Sequence, residues 1–192
     1  FATKHEDAIY FSKRVTRAVP DGGPIEAHTD LVKKLDYECE LAVVLGRDAR
    51  DVPAGQTRDY IFGYTILNDV SARDVQTAHK QWYFGKSLDG FTPIGPCIVT
   101  ADAFADYPPR LGIRSFVNGE KRQDSNTALQ IFDIDHVIAE LSQGMTLKAG
   151  TIIATGTPAG VGMGMDPPQF LKPGDVVRCE IDGIGTLTNP VK

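Results

Sequence analysis

The run DYECELAVVLG, Asp36 to Gly46, constrains this chain most. It is too short and too rich in Val and Leu to favour a helix, and it stops at a glycine, so it reads as a β-strand. Side chains alternate along a strand, which places Glu38, Glu40, Ala42 and Val44 on one face and Cys39, Leu41, Val43 and Leu45 on the other. Glu38 and Glu40 therefore stand side by side. Carboxylates held that close repel, and burial adds to the cost unless a cation or a proton intervenes. A second strand-like run, YIFGYTILND, delivers Asp69 where the chain leaves the sheet. Three carboxylates without a nearby cysteine or histidine cluster suit Mg²⁺, Mn²⁺ or Ca²⁺ better than zinc. The same spacing also fits an exposed, salt-bridged strand edge, and the residue pattern leaves both readings open.

Turn chemistry organises the rest. Asn118-Gly119 between alternating residues is a hairpin signal, and Asp182-Gly183 turns the run Val176 to Ile181 into a last strand at Gly185 to Leu187. Ile9 to Lys13 and Thr151 to Thr155 read as further short strands. Ser71 with Asp74 resembles a capping box that opens a short helix through Val75 and Ala78. Asp133 or Asp135 caps an amphipathic helix with the stripe Ile134, Val137, Ile138 and Leu141. Between them, Gly85 to Val99 reads as irregular chain entering a strand at Cys97. Many short strands, two helices and no strand-helix alternation predict a mainly β fold with minor α, largely antiparallel.

The 192 residues, 42% of them hydrophobic, suit a single domain over 1–192 with a sizeable core. A formal charge of −5 and no long Lys/Arg block argue against nucleic acid. No apolar run is long enough to span a membrane. Cys39, Cys97 and Cys179 are widely spaced in apolar surroundings, which predicts reduced, buried thiols and a cytoplasmic setting. The chain begins at Phe1, as a retained part of a longer protein would. GTPAGVGMG lacks Gly-Lys-Ser/Thr and is no phosphate loop, although Thr155 to Pro158 either offers hydroxyl and N–H groups to a carboxylate or simply turns the chain. Neither Ser71 nor Ser87 sits in a nucleophile elbow, and the scattered His28, His79 and His136 read as surface residues.

DYECELAVVLG, GYTILNDVSARDVQ, QWYFGKSLDGFTPIGP, VNGEKRQ, TGTPAGVG and FLKPGDVV, taken in order from about Ile9 onward, resemble the fumarylacetoacetate hydrolase family. The likeness is to its fumarylpyruvate/acylpyruvate hydrolase and 2-hydroxyhepta-2,4-diene-1,7-dioate isomerase branch. The resemblance implies a β-sandwich roll, a homodimer, and Mg²⁺ or Mn²⁺ held by Glu38, Glu40 and Asp69, with Ca²⁺ able to take their place in crystals. It further implies that Gln76, Lys86 and Thr157 contact a 2-oxo acid, with the Lys86 charge set near a developing oxyanion. Family members carry an N-terminal His-x-x-Glu as base; here the segment reads Lys4-His5-Glu6-Asp7-Ala8, a departure in spacing. His5 with Glu6 is the expected pair, on a remnant of a mobile lid at residues 1–8.

The reaction expected from this resemblance is hydrolysis of a carbon-carbon bond in an acylpyruvate-like 2,4-dioxo acid. The alternatives are oxaloacetate decarboxylation or tautomerisation, and isomerisation or decarboxylation of 2-hydroxyhepta-2,4-diene-1,7-dioate. A catalytically silent β assembly domain is the non-enzyme alternative.

Overall fold

A computed structural model describes residues 7–192. Among these residues, ten strands run in chain order: β1 Leu35–Asp36, β2 Cys39–Leu45, β3 Ile61–Asn68, β4 Ser71–Ala72, β5 Ile94–Thr100, β6 Gly112–Val117, β7 Glu120–Asn126, β8 Ile152–Ala154, β9 Val176–Ile181 and β10 Gly185–Pro190. Helices α1 Arg73–Ala78, α2 Tyr83–Lys86 and α3 Ile134–Leu141 interrupt them. One antiparallel sheet has the order β5-β3-β2-β8 and another β10-β9-β6-β7, while β1 and β4 form a two-residue ladder. The mainly β architecture with few helices agrees with the sequence expectation. Among the described residues, no helix is long and apolar enough to cross a membrane.

The two larger sheets share one core. Leu41, Val43, Tyr64 and Ile66 from the first meet Ile113, Val177, Cys179 and Leu187 from the second in the same buried cluster. Burying such side chains stabilises the fold by roughly 1.5–3 kcal/mol each. β2 lies between β3 and β8, and every one of its residues is buried. Asn118 (φ 52°) and Gly119 (φ 83°) both take the left-handed conformation that a two-residue hairpin with the sheet's twist requires. Asp133 caps α3 by accepting the His136 N–H at 2.8 Å, and Ile134 and Ile138 pack into the core.

Several local expectations give way. Ile9 to Lys13 forms no strand and has no regular secondary structure. Side-chain contacts hold that segment instead: Phe11 packs edge-on against Trp82 with ring centroids 5.3 Å apart. Ser71 does not cap α1, because it is committed to β4, where its backbone pairs with Asp36. Its hydroxyl donates to Asp69 O at 2.8 Å, and the helix starts after Ala72 without a side-chain cap. The segment around Gly85 is helical rather than irregular, which makes three α-helices among the described residues where two were expected. Cys39 and Cys179 are buried, but Cys97 is exposed. It lies on β5, the edge strand of its sheet, and apolar neighbours in sequence do not say which face of an edge strand meets the core.

Candidate metal centre

Antiparallel register explains how the three acids meet. Cys39 pairs with Asn68, so the start of β2 lies beside the end of β3. Asp69 N donates to Glu38 O at 2.8 Å, and Glu38 N donates to Asn68 Oδ1 at 2.9 Å. One carboxylate oxygen each from Glu38, Glu40 and Asp69 lies within 4.8 Å of the others. One cation with metal–oxygen distances of about 2.0–2.6 Å spans such a gap. The three residues are 8%, 3% and 2% exposed, which removes the reading of a solvated strand edge.

Three cationic side chains crowd the same oxygens. Lys86 Nζ lies 2.6 Å from Glu38 Oε2 and 2.7 Å from Asp69 Oδ2. Lys13 Nζ takes the other Asp69 oxygen, Oδ1, at 2.7 Å. Arg73 Nη1 reaches Glu38 Oε1 at 2.6 Å while its Nε donates to Asp36 Oδ2 at 2.9 Å. Glu40 has no such partner among the described residues, and its Oε2 accepts the Gly156 N–H at 2.7 Å. Asp36, Glu38, Glu40 and Asp69 therefore face Lys13, Arg73 and Lys86, one positive charge short.

The electrostatics follow that imbalance. Burial, reinforced by the charges of Asp69 and Glu38, pushes the Glu40 carboxyl well above its ordinary range. For Asp69 burial acts the same way, but the nearby Lys13 and Lys86 ammoniums outweigh it and hold the carboxyl low. Burial would lower Lys86, yet Asp69, Glu38 and Glu40 together raise it. Burial prevails at Lys13 and lowers it despite Asp69. An all-oxygen donor set with one uncompensated carboxylate suits a hard divalent cation, and the residues present fit one.

Lys86 owes its place to close helix packing. A Cβ at Gly85 would lie 2.6 Å from Gln76 N and 2.8 Å from Ala72 O, so only glycine lets α2 press on the start of α1. Gln76 is buried on α1, and its Oε1 accepts from Arg73 Nη1 at 3.2 Å. Thr157 lies in the loop after β8 with its hydroxyl engaged, accepting from Gln123 Nε2 at 2.8 Å and donating to Cys39 O at 3.0 Å. His5 and Glu6 lie outside the described residues. His79 and His136 are exposed, and His28 Nε2 bonds the Asp89 carbonyl at 2.8 Å, so none of these three joins the acidic group.

Sequence reasoning missed Asp36, Arg73, Lys13 and Gln123. Arg73 and Gln76 had a usable signal, being three apart on one short helix and so neighbours on its surface. Lys13 had none, since its role depends on a long-range contact.

Comparisons with known proteins converge. A fumarylacetoacetate hydrolase from the psychrophile Exiguobacterium antarcticum is 48% identical, with a TM-score of 0.95 over 100% of this chain and 68% of that one. A 2-hydroxyhepta-2,4-diene-1,7-dioate isomerase from Mycobacterium marinum is 43% identical, with a TM-score of 0.85 over 96% of this chain and 69% of that one. Oxaloacetate tautomerase YisK of Bacillus subtilis is 45% identical over 186 residues, which are 97% of this chain and 62% of that protein. The chain thus spans less than two thirds of that curated relative. A family model described as fumarylacetoacetate (FAA) hydrolase C-terminal matches residues 2–192, and the chain belongs to that family.

Proposed function

We propose that this chain is the catalytic portion of a divalent-cation-dependent enzyme that acts on a 2-oxo acid, with Mg²⁺ or Mn²⁺ held by Glu38, Glu40 and Asp69. The observation that carries this reading is the buried triad with its charge deficit. When bound, the cation would supply the positive charge that orients and polarises the carboxylate and keto oxygens of the substrate. Lys86 keeps its ammonium between Glu38 and Asp69, where it donates to a substrate oxygen that gains charge during enolisation. Arg73 fixes one Glu38 oxygen and aligns Gln76, so both stay oriented through turnover. The interior position of the triad keeps bulk water from competing for these groups.

Enolisation of a 2-oxo acid is common to the reactions in question. Hydrolysis of an acylpyruvate-like 2,4-dioxo acid adds attack by water on the distal carbonyl; tautomerisation of oxaloacetate needs only proton movement. The similarity to oxaloacetate tautomerase YisK supports tautomerisation as a second reading. A panel of acylpyruvates and oxaloacetate, assayed with Mn²⁺ for pyruvate release and for keto-enol interconversion, separates them. Pyruvate from an acylpyruvate identifies the hydrolase, and accelerated interconversion without pyruvate identifies the tautomerase. Inertness of the folded, cation-loaded chain toward the whole panel would overturn both.

A further inference from the structure

Cys39 lies between two of the three acids, and its backbone N–H and C=O are both held by side chains. Gln123, on β7 of the opposite sheet and 1% exposed, accepts the Cys39 N–H on Oε1 at 3.1 Å. The same side chain donates through Nε2 to Thr157 Oγ1 and to Pro158 O, each at 2.8 Å. Thr157 closes the ring by donating its hydroxyl proton to Cys39 O at 3.0 Å. The adjoining loop residues continue this stapling. Gly156 N holds Glu40 Oε2 at 2.7 Å, and Thr155 bonds Leu41 O through its N at 3.1 Å and its hydroxyl at 2.8 Å. Gln130 Nε2 in turn donates to Thr155 Oγ1 at 2.7 Å.

We propose that Gln123 is a positioning residue: with Thr157 it fixes the backbone N–H and C=O of Cys39, and so both peptide groups that join Cys39 to Glu38 and Glu40, setting the backbone from which these acids reach the cation. The inference rests on the cation reading given above. It also assigns Thr157 a task distinct from the substrate contact implied by resemblance, because its single hydroxyl proton is already directed at Cys39 O. A buried amide with both ends engaged has one orientation. It can therefore transmit the position of β7 and of the loop after β8 to β2 without touching the ligand itself.

Cation affinity, which a purely structural contact would leave alone, provides the test. Mn²⁺ titrations by calorimetry are run on the full chain and on Gln123→Met, Thr157→Val and Thr157→Ser, well below each variant's melting temperature. Gln123→Met and Thr157→Val should weaken Mn²⁺ binding by about 10- to 100-fold, the usual cost of losing an outer-shell partner. Thr157→Ser retains the hydroxyl and should stay within about twofold of the parent, because the hydrogen bonds to Gln123 and Cys39 survive. The double variant Gln123→Met/Thr157→Val should cost little more than the worse single, as residues in one network do.

Folded variants that melt lower but bind Mn²⁺ with parental affinity would overturn the clamp and leave the cation reading standing. Should Gln123→Met fail to fold, the Val and Ser pair at position 157 decides alone. No Mn²⁺ binding by the parent chain would overturn the cation reading and this inference with it.

Discussion

Lys13 Nζ lies 2.7 Å from Asp69 Oδ1, across a sequence separation of 56 residues. This pair fastens the segment around Lys13 onto the acidic group, and it places an ammonium on an oxygen that a cation held by Asp69 would share. On the proposed reading, Lys13 would therefore compete with the cation. Lys13→Met should tighten Mn²⁺ binding by about 3- to 10-fold, a net gain of about 1 kcal/mol once the desolvation of this buried ammonium is set against its attraction to Asp69. It should also lower the melting temperature without cation, since Asp69 loses a partner. Titration calorimetry checks the first effect, and weaker Mn²⁺ binding in the variant would contradict the competition.

Asp36 and Arg73 carry the second prediction. Asp36 is fully buried and accepts four hydrogen bonds, from Tyr37 N and Gly162 N on Oδ1 and from Met163 N and Arg73 Nε on Oδ2. Replacing it by alanine leaves these donors unpartnered and Arg73 short of one counter-charge. The expected loss is about 3–5 kcal/mol, read from urea unfolding. A cost below about 1 kcal/mol, within the range of an ordinary surface substitution, would show that the network carries no such weight.

Asp175 gives a pH prediction away from the candidate centre. It accepts Lys172 N at 2.9 Å, Lys172 Nζ at 2.8 Å and Asn118 Nδ2 at 2.9 Å, and so joins the β6–β7 hairpin to the turn before β9. Burial raises its carboxyl, but these partners outweigh burial and hold it below the ordinary 3.8. A carboxyl whose folded value is depressed contributes fully above its unfolded value and loses that contribution as pH falls through the folded one. Asp175→Asn should thus cost about 1–2 kcal/mol at neutral pH. The gap to the parent should narrow only below about pH 4. Urea unfolding of both proteins across that range tests the direction; a gap that widens in acid would contradict it.

The legible parts of the fold and site were those set by local chemistry. Strand β2, the Asn118-Gly119 turn and the Asp133 cap each depend on residues within a few positions of one another. The nearness of Glu38 to Glu40 followed from strand alternation alone, and the closeness of Asp69 needed only that two adjacent strands pair. Burial was not legible from spacing, because it depends on which strands flank β2 and on what covers the sheet. Ser71 failed as a cap for a similar reason: its backbone had a long-range partner in Asp36 that no short window reveals. Gln123 stayed hidden because its amide acts from the opposite sheet on a peptide 84 positions away.

The central claim is that Glu38, Glu40 and Asp69 share one divalent cation, and thermal melting tests it most directly. With Mn²⁺ at about 100 times its Kd, binding to the native state adds about 2.7 kcal/mol, which for a chain of this size raises the melting temperature by about 5–10 °C over the EDTA control. Asp69→Asn should abolish that rise while remaining folded. A parent chain that melts at the same temperature in EDTA, saturating Mn²⁺ and saturating Mg²⁺ would contradict the account.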